Sequence, residues 1–281
     1  MLRIEISQYE ASYLKNMLTL LNKLIPTMAG MCLDICDKKC EIVATDGQIL
    51  AIKKLESEVE AVNKQYVIPN QIIAELCKNK KAESLAILIS KDSEMVSAEI
   101  AGVITVSHRI IDGKYPNYKG VISANKNLPH QFSVFGDGAR DIRENTEFLK
   151  KYFNKQICIT KLEASTKKLL IASNTKKTFL SSFSESINRH DSEKCEILFK
   201  SENIYNALNL MLTNLVTQID FLNADKSRAV ILEAPYNDDL TVLVMPYLGD
   251  YGEHIASPKI PIMNEMLNIL DKDEYNDLYF C

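Results

Sequence analysis

The hydrophobic pattern changes from strand-like to helix-like within residues 66–76, Tyr-Val-Ile-Pro-Asn-Gln-Ile-Ile-Ala-Glu-Leu. Residues 66–68 have the β-branched and aromatic composition of a short strand. Pro69 is well placed to open a helix, because its ring fixes φ near the helical value and the first turn of a helix has no partner for the backbone N–H that proline lacks. Ile72 and Leu76 then fall on one face at helical spacing. The stretch therefore predicts a strand that leads directly into an amphipathic helix.

This order of elements occurs four times along the chain, each time as a strand, a helix and then further strands. The opening strands are predicted at 2–6, 66–68, 131–135 and 197–199, and the helices at 8–24, from Pro69 onward, at 138–153 and at 201–214, with Ser201 as the N-cap of the fourth. The strands that follow are predicted at 29–36, 40–45, 48–54, 84–90, 94–100, 102–109, 216–222, 227–233 and 240–246. The second and fourth passes lie about 130 residues apart, which predicts an α+β fold of two domains, each with two strand–helix–three-strand units. An α+β protein whose regularity is accidental is the alternative.

Polar, turn-forming residues mark the expected boundaries. The segment 123–129, Ser-Ala-Asn-Lys-Asn-Leu-Pro, separates a first domain at 1–125 from a second at 126–248, and the pattern is lost in an acidic extension at 249–281. That extension holds seven acidic and two basic residues, a net of −5, so the chain's net charge of −4 leaves +1 for residues 1–248. A near-neutral body can still bind DNA if its basic residues lie on one face.

Composition indicates a soluble globular protein, with 46% hydrophobic and 25% charged residues. No apolar run is long enough to span a membrane, and the first residues alternate like a strand rather than a signal peptide, so a cytoplasmic location is expected. Seven cysteines without an export signal indicate reduced thiols. Cys32, Cys36 and Cys40 are spaced four residues apart with no His nearby, which favours packing within strands over a zinc site. No metal or other cofactor is expected.

The sequence contains no recognisable catalytic constellation. Its four His residues are scattered, and neither a P-loop nor a GxGxxG motif is present. Asp46-Gly47 and Asp112-Gly113 are turn dipeptides in which Gly is free to adopt positive φ. As catalytic groups, the two aspartates would need a base, a metal or a nucleophile beside them. The chain is therefore expected not to be an enzyme.

Three segments resemble motifs of a known family. Residues 44–51, Ala-Thr-Asp-Gly-Gln-Ile-Leu-Ala, are similar to ATDGHRLA; residues 111–118, Ile-Asp-Gly-Lys-Tyr-Pro-Asn-Tyr, are similar to DGRFPDY; and residues 244–248, Val-Met-Pro-Tyr-Leu, resemble the ending MPMRL. These motifs occur in this order in the bacterial replicative sliding clamp, the β subunit of the replicative polymerase. The resemblance covers residues 1–248 and corresponds to the central and C-terminal domains of that three-domain protein.

The resemblance implies a DNA clamp fold, in which helices line a ring and sheets face outward. It also implies an apolar groove that receives short linear peptides from polymerase and other partners. The residues carried over to this groove are Met28, Thr45, Gly47, Gln48, Ile49, Leu50, Pro116, Val121, Leu243, Met245 and Pro246. For Leu50 and Leu243 a plain core role is the alternative. Gln48-Ile49 replaces the family's His-Arg and Gly120 stands where Arg is frequent, so the groove loses positive charge and partner choice is expected to differ.

Basic residues on the predicted helices are the candidates for contact with DNA. They are Lys15, Lys23, Lys78, Lys80, Lys81, Arg140, Arg143, Lys150 and Lys151, and the fourth helix has none. Sliding requires contacts to phosphate rather than to bases, so scattered Lys and Arg are adequate. Solvated helix faces are the alternative interpretation.

The function expected from the resemblance is that of a DNA sliding clamp, a non-enzymatic processivity factor. Its expected partners are double-stranded DNA, DNA polymerase, a clamp loader and further copies of the chain in a homotrimeric ring, because two domains per chain need three chains to reach six. The alternative is a clamp-derived adaptor or inhibitor that forms no ring and binds polymerase, clamp loader or another clamp. Residues 276–280, Asn-Asp-Leu-Tyr-Phe, resemble the peptide motif that clamps bind, but an acidic tail with a chance motif is the favoured interpretation.

Overall fold

The structure is a computed structural model, and it describes most of residues 1–249. The described ranges are 1–57, 59, 62–124, 130–152, 158–164, 169–174, 179–184, 187–189, 195–213, 216–222, 228–235 and 237–249. Within them the four predicted units are present, and in each a strand precedes a helix. The tail motif at 276–280 lies outside these ranges.

The first two units occupy the N-terminal half of the described chain. They comprise β1 (Leu2–Glu5), α1 (Gln8–Met17), β2 (Gly30–Cys36), β3 (Lys39–Thr45) and β4 (Ile49–Leu55), then β5 (Lys64–Pro69), α2 (Asn70–Lys78), β6 (Leu85–Ile89), β7 (Met95–Ile100) and β8 (Val103–Arg109). A short helix that the sequence did not predict follows as α3 (Tyr118–Ala124).

The third and fourth units repeat the arrangement. They comprise β9 (His130–Phe135), α4 (Gly136–Tyr152), β10 (Ile159–Ala164), β11 (Leu169–Asn174), β12 (Phe179–Ser184) and β13 (Ile187–Arg189), then β14 (Cys195–Lys200), α5 (Ser201–Met211), β15 (Gln218–Leu222), β16 (Val230–Ala234) and β17 (Asn237–Val244). The predicted order of strand, helix and three strands is therefore confirmed, with one additional short strand in the third unit.

Paired units exchange their first strands. The three sheets have the orders β1–β6–β7–β8, β12–β11–β10–β14 and β13–β9–β15–β16–β17–β4–β3–β2–β5, so β1 joins the second unit and β5 joins the first. The nine-stranded sheet runs through both halves of the chain because β17 pairs antiparallel with β4, with Leu243 opposite Leu50. Both halves of the described chain are therefore fastened together by a backbone ladder.

The helices and the outer sheet face define two apolar clusters. Helix α1 contacts α2 and α5, and α5 contacts α4; the Asn16 amide of α1 donates to Thr213 Oγ1 over 2.9 Å. Along β3, Ile42 and Ala44 belong to the large core that includes the helices, whereas Val43 belongs to a second cluster. Since side chains alternate along a strand, the second cluster covers the sheet face opposite the helices.

Helix α1 is shorter than predicted. It begins as its sequence dictates, because Ser7 and Glu10 form a capping box. It ends at Met17 and continues only as a 3-10 turn over Leu18–Leu20, so the predicted end at residue 24 was wrong. The backbone is already extended at Leu21, and the Asn22 side chain then accepts a hydrogen bond from the backbone N–H of Leu24, which stabilises the non-helical turn that follows.

The predicted N-cap of the fourth helix was also wrong. Lys200 occupies the cap position, and Ser201 is the first helical residue. The Ser201 hydroxyl lies 2.7 Å from Thr160 Oγ1 on β10, so it links the helix to the neighbouring sheet instead of capping it.

The three closely spaced cysteines occupy the first hairpin. Cys32 packs in the outer cluster and Cys40 in the helix-side core, on opposite faces of the sheet, while Cys36 is exposed. Burial raises the pKa of the Cys32 thiol to about 12. Across the described ranges, no group of three His, Cys, Asp or Glu side chains is arranged to hold a metal. No helix in those ranges has both the length and the apolarity needed to cross a membrane.

Candidate functional site

A groove of about 310 Å³ lies beside the outer apolar cluster, where the turn between β3 and β4, helix α3 and the end of β17 meet. Its lining residues are Met28, Thr45, Gly47, Gln48, Ile49, Leu50, Pro116, Asn117, Tyr118, Val121, Ala229, Leu243 and Met245. The structure thus brings together ten of the eleven residues that the sequence predicted for one site. Pro246 is buried and does not line the groove, because consecutive residues of an extended chain point to opposite sides.

The turn at one end of the groove is built by Asp46 and Gly47. The Asp46 carboxylate accepts hydrogen bonds of 2.7 Å from the backbone N–H groups of Gln48 and Ile49. Gly47 has a φ of 90°, as predicted for this turn dipeptide, and a side chain would strain that conformation. Asp46 therefore shapes the turn, and the carboxylate oxygen Oδ1 is engaged by the backbone.

The end of β17 is held against this turn. The backbone N–H of Met245 donates to the Gln48 carbonyl oxygen over 2.8 Å, which continues the contact between β17 and β4 past the last ladder pair. Two chain segments almost 200 residues apart therefore form one wall.

Exposure separates the floor of the groove from its rim. Leu50 and Leu243 are 8% and 2% exposed and belong to the outer cluster, so they act as floor and core together. Met245 and Val121 are 37% and 44% exposed, so they form a rim that a ligand can cover. Ile49 is buried and packs in the helix-side core, so little of its surface faces the groove.

Helix α3 and the residues before it supply the opposite wall. The Tyr115 hydroxyl donates to the Val43 carbonyl oxygen over 3.2 Å, and Tyr118 is buried beside it. Burial, together with a hydrogen bond to Asp34, raises the pKa of Tyr118 above its usual value. Asn117 and Tyr118 were within the quoted motif but were not predicted as lining residues; Ala229 gave no signal in the sequence.

The groove is uncharged. None of its described lining residues is Lys, Arg, Asp or Glu. The polar Thr45 hydroxyl is already engaged, since it donates to the Ile49 carbonyl oxygen over 2.6 Å and accepts from the Gly47 N–H. The arrangement therefore suits binding through apolar side chains, and it offers no acid, base or nucleophile for catalysis.

Four of the predicted DNA-contacting residues meet on the helix side of the protein. Lys15 on α1 and Lys78, Lys80 and Lys81 at the end of α2 line a depression of about 690 Å³. Lys78 also contacts Glu75 over 3.4 Å. Lys23 is exposed, but it lies in the turn after α1 and not on the helix where it was predicted.

The remaining predicted basic residues lie on α4. Arg140 pairs with Asp137 over 2.6 Å, and Arg143 lies 3.9 Å from Glu144. Lys150 and Lys151 are within the span of α4, but their side chains lie outside the described part of the structure. Arg140 and Arg143 of α4 thus each have an acidic neighbour on their own helix, as Lys78 of α2 has in Glu75.

Comparison with known proteins agrees with this geometry. Residues 19–117 match the family described as "DNA polymerase III beta subunit, central domain". The chain superposes on a crystal structure of the DNA polymerase sliding clamp from Pseudomonas aeruginosa with a TM-score of 0.74 and 20% identity, covering 88% of this chain and 66% of that one. The beta sliding clamp of C. crescentus gives a TM-score of 0.73 at 18% identity, with the same coverage. The chain has the fold of a bacterial sliding clamp.

Curated relatives with this fold are similar along much of the chain. The beta sliding clamp of Pseudomonas putida is 24% identical over 228 residues, which are 77% of this chain and 57% of the relative. That of Staphylococcus epidermidis is 25% identical over 252 residues, 87% of this chain and 64% of the relative. The chain therefore spans about three fifths of the length of these two relatives. The predicted resemblance and the α+β clamp fold are confirmed, and the names of the relatives agree with the prediction that the chain is not an enzyme.

Proposed function

We propose that the chain is a subunit of a DNA sliding clamp, which encircles duplex DNA and binds peptide segments of its partners in the groove. The observation that carries the proposal is the convergence of residues 45–50, 116–121 and 243–245 on one apolar groove. An apolar groove with few free polar groups suits an extended peptide that presents large apolar side chains. The proposal retains two clamp domains, 1–125 and 126–248, and an extension at 249–281.

Ring closure is supported by the edges of the two smaller sheets. In the described chain, β8 ends one four-stranded sheet and β12 ends the other, at opposite halves of the molecule. Val103 and Ile104 of β8 are 64% and 54% exposed. An edge strand with exposed apolar residues is a template for pairing with another chain, and identical head-to-tail contacts either close into a ring or form filaments. We propose that β8 of one copy pairs with β12 of the next in a homotrimer.

Duplex DNA would be contacted by the helix side. Lys15, Lys78, Lys80 and Lys81 converge there, and Lys23 is exposed close to the end of α1. Such residues give sequence-independent attraction to phosphates that weakens as salt rises. Topological linkage then supplies the retention that weak contacts cannot, since a closed ring cannot leave the duplex sideways.

The other partners follow from the groove and the task. A DNA polymerase would bind through a short peptide, and a clamp loader would open the ring around DNA. Because the task is performed on replicating DNA, the proposal places the protein in the cytoplasm. The P. aeruginosa clamp has a structure bound to griselimycin, and this compound is a further test ligand for the groove.

A second candidate is a clamp-derived adaptor or inhibitor that forms no ring. The observation that favours it is the uncharged groove, whose lining residues Gln48 and Ile49 stand where the resembled motif has His and Arg. Such a chain would bind a polymerase, a clamp loader or another clamp as a monomer.

Light scattering and a topological retention assay test the two candidates. A trimer has three times the 31.8 kDa mass of one chain, whereas a monomer at micromolar concentration supports the adaptor and a dimer contradicts the six-domain ring. For retention, the chain is mixed with linear duplex, the DNA ends are ligated, and the circle is washed in high salt, which removes phosphate contacts. A ring remains on the circle and is released when a restriction enzyme cuts it; release before the cut contradicts encirclement.

The groove is tested with a fluorescein-labelled peptide of the sequence Glu-Tyr-Asn-Asp-Leu-Tyr-Phe, copied from residues 274–280. A scrambled peptide of the same composition is the matched control. Saturable binding of the first and not of the second supports the proposed site.

A further inference from the structure

Helix α3, which forms one wall of the groove, is anchored to the nine-stranded sheet by its first two residues. Tyr118 donates a hydrogen bond to one buried carboxylate, and Lys119 forms an ion pair with the same group. That carboxylate is Asp34 of β2, whose side chain is only 6% exposed. A rigid wall favours ligand binding. If α3 became ordered only when a ligand bound, the entropy lost in ordering it would weaken the affinity.

Three donors converge on a single oxygen of Asp34. Its Oδ2 accepts from the Tyr118 hydroxyl at 2.6 Å, from Gln65 Nε2 at 2.7 Å and from Lys119 Nζ at 2.8 Å. Asp34 lies opposite Glu41 on one neighbouring strand and opposite Gln65 on the other. The carboxylate is thus held between two paired strands, on the second strand from the edge of the nine-stranded sheet, and reaches outward to α3.

The electrostatics of this cluster favour a charged Asp34. Burial alone would raise the pKa of Asp34, but the hydrogen bonds from Lys119, Tyr118 and Gln65 outweigh it and lower that pKa. The pKa of Lys119 is raised, first by its hydrogen bond to Asp34. Glu41, whose carboxylate lies 3.4 Å from the Tyr118 hydroxyl, adds a second negative charge, so Lys119 balances a locally acidic patch. A buried charge is stable only with such partners, which ties the position of α3 to the ionisation of Asp34.

We infer that Asp34 is the positioning residue of the groove: it fixes α3 and thereby sets the distance between the rim residues Val121 and Met245. Asp34 is not among the residues that line the groove, so it acts on a ligand only through Tyr118 and Lys119. The inference rests on the proposed peptide-binding function of the groove. It predicts that the affinity for a peptide depends on a carboxylate that the peptide does not touch.

The test compares full-length variants, all carrying Phe280→Asp so that the chain's own tail cannot compete with the labelled 274–280 peptide. The variants are Asp34→Ala, Asp34→Asn, Tyr118→Phe, Lys119→Gln and the double change Asp34→Ala with Tyr118→Phe. The matched control is Glu99→Ala, because Glu99 is a largely buried carboxylate paired with Arg3 on the sheet of β7, away from the groove. Peptide affinity is measured by fluorescence anisotropy, and amide hydrogen exchange is followed over residues 118–124.

Asp34→Ala is expected to weaken peptide binding by about tenfold or more, because the wall must then be ordered by the ligand. The double change should bind no more weakly than Asp34→Ala alone, since residues that act as one unit are not additive. Exchange over 118–124 should accelerate in Asp34→Ala and remain unchanged in Glu99→Ala. A role limited to stability would lower the melting temperature of Asp34→Ala without these changes in the folded protein.

Wild-type affinity and wild-type exchange in a folded Asp34→Ala protein would overturn the inference, as would additive effects of the two changes. If Asp34→Ala does not fold, Asp34→Asn and Lys119→Gln give the answer, since Lys119 is half-exposed and its loss does not threaten the core. Failure of the proposed function is distinguishable, because the unaltered groove would then bind neither the peptide nor griselimycin, while exchange over residues 118–124 would still respond to Asp34.

Discussion

Met245→Asp is the sharpest perturbation of the groove, because Met245 lies on its rim, 37% exposed. In the free protein the new carboxylate remains hydrated, so the free energy of unfolding should change by less than about 1 kcal/mol. A bound peptide, in contrast, would cover the carboxylate in a groove whose described lining carries no positive charge.

The expected loss of binding free energy is the difference between the cost of the carboxylate in the peptide-bound protein and its cost in the free protein. Covering an unpaired carboxylate in a partly open groove costs roughly 2–3 kcal/mol, well below the cost for full burial. The lost contact of the methionine side chain with the ligand adds about 1 kcal/mol. A total of about 3 kcal/mol or more corresponds to at least a ~100-fold rise in the Kd for the peptide.

Fluorescence anisotropy with the labelled 274–280 peptide measures this change, and urea unfolding measures stability in the same samples. Leu248→Asp is the matched control, because Leu248 is 69% exposed and does not line the groove; its Kd should match that of the unchanged chain. Leu243→Asp, at a position only 2% exposed, should unfold the protein. Unchanged binding by Met245→Asp would refute the groove as the peptide site, and its global unfolding would show that Met245 is a core residue.

Three further changes test other parts of the structure. Gly47→Ala should lower the free energy of unfolding, measured in urea, by about 1–2 kcal/mol. The φ of Gly47 is 90°, which strains the backbone of any residue with a side chain, whereas the nearest atom to an added Cβ, in Met28, is 3.8 Å away. Backbone strain is therefore the only cost. Lys53→Met should alter stability by less than about 1.5 kcal/mol, because Asp239, 3.6 Å from the fully buried Lys53 ammonium, is itself 43% exposed and stays hydrated when its partner is lost. A loss above about 3 kcal/mol in thermal melts would contradict this. If the proposed trimer forms, Val103→Asp on β8 should shift it to monomers in light scattering without lowering the melting temperature, because Val103 is 64% exposed; an unchanged mass would exclude that edge from assembly.

Much of the site was predictable because its residues lie in short motifs whose local conformation is fixed by chemistry. Gly47 is required by its positive φ, and the two bonds from Asp46 fix the turn, so this part of the groove is encoded within a few residues. Likewise Ile72 and Leu76 are buried as their helical spacing predicts. Ring closure, the DNA contacts and the domain bounds stay predictions.

The features that the sequence did not predict depend on contacts between distant segments. Asp34 appears in the sequence as a polar residue of a strand, and only the approach of Tyr118 makes it a buried anchor. Helix α3 contains Gly120 and is too short for a periodic signal. Ser201 has the chemistry of an N-cap, but its hydroxyl is held by Thr160 of another strand, which no local pattern could indicate.

The ladder between β4 and β17 has a consequence for the order of events during synthesis. Residues 28–50 emerge from the ribosome early, whereas Leu243 and Met245 emerge last among the described residues of the groove. Pairings between such distant segments form slowly, because a long loop must close before the contact is gained, and N-terminal segments fold first during translation. A nascent chain that stops before β17 has the α3 wall but only part of the wall that the turn and β17 form together, so the proposed peptide binding is expected to begin only after Met245 has been synthesised.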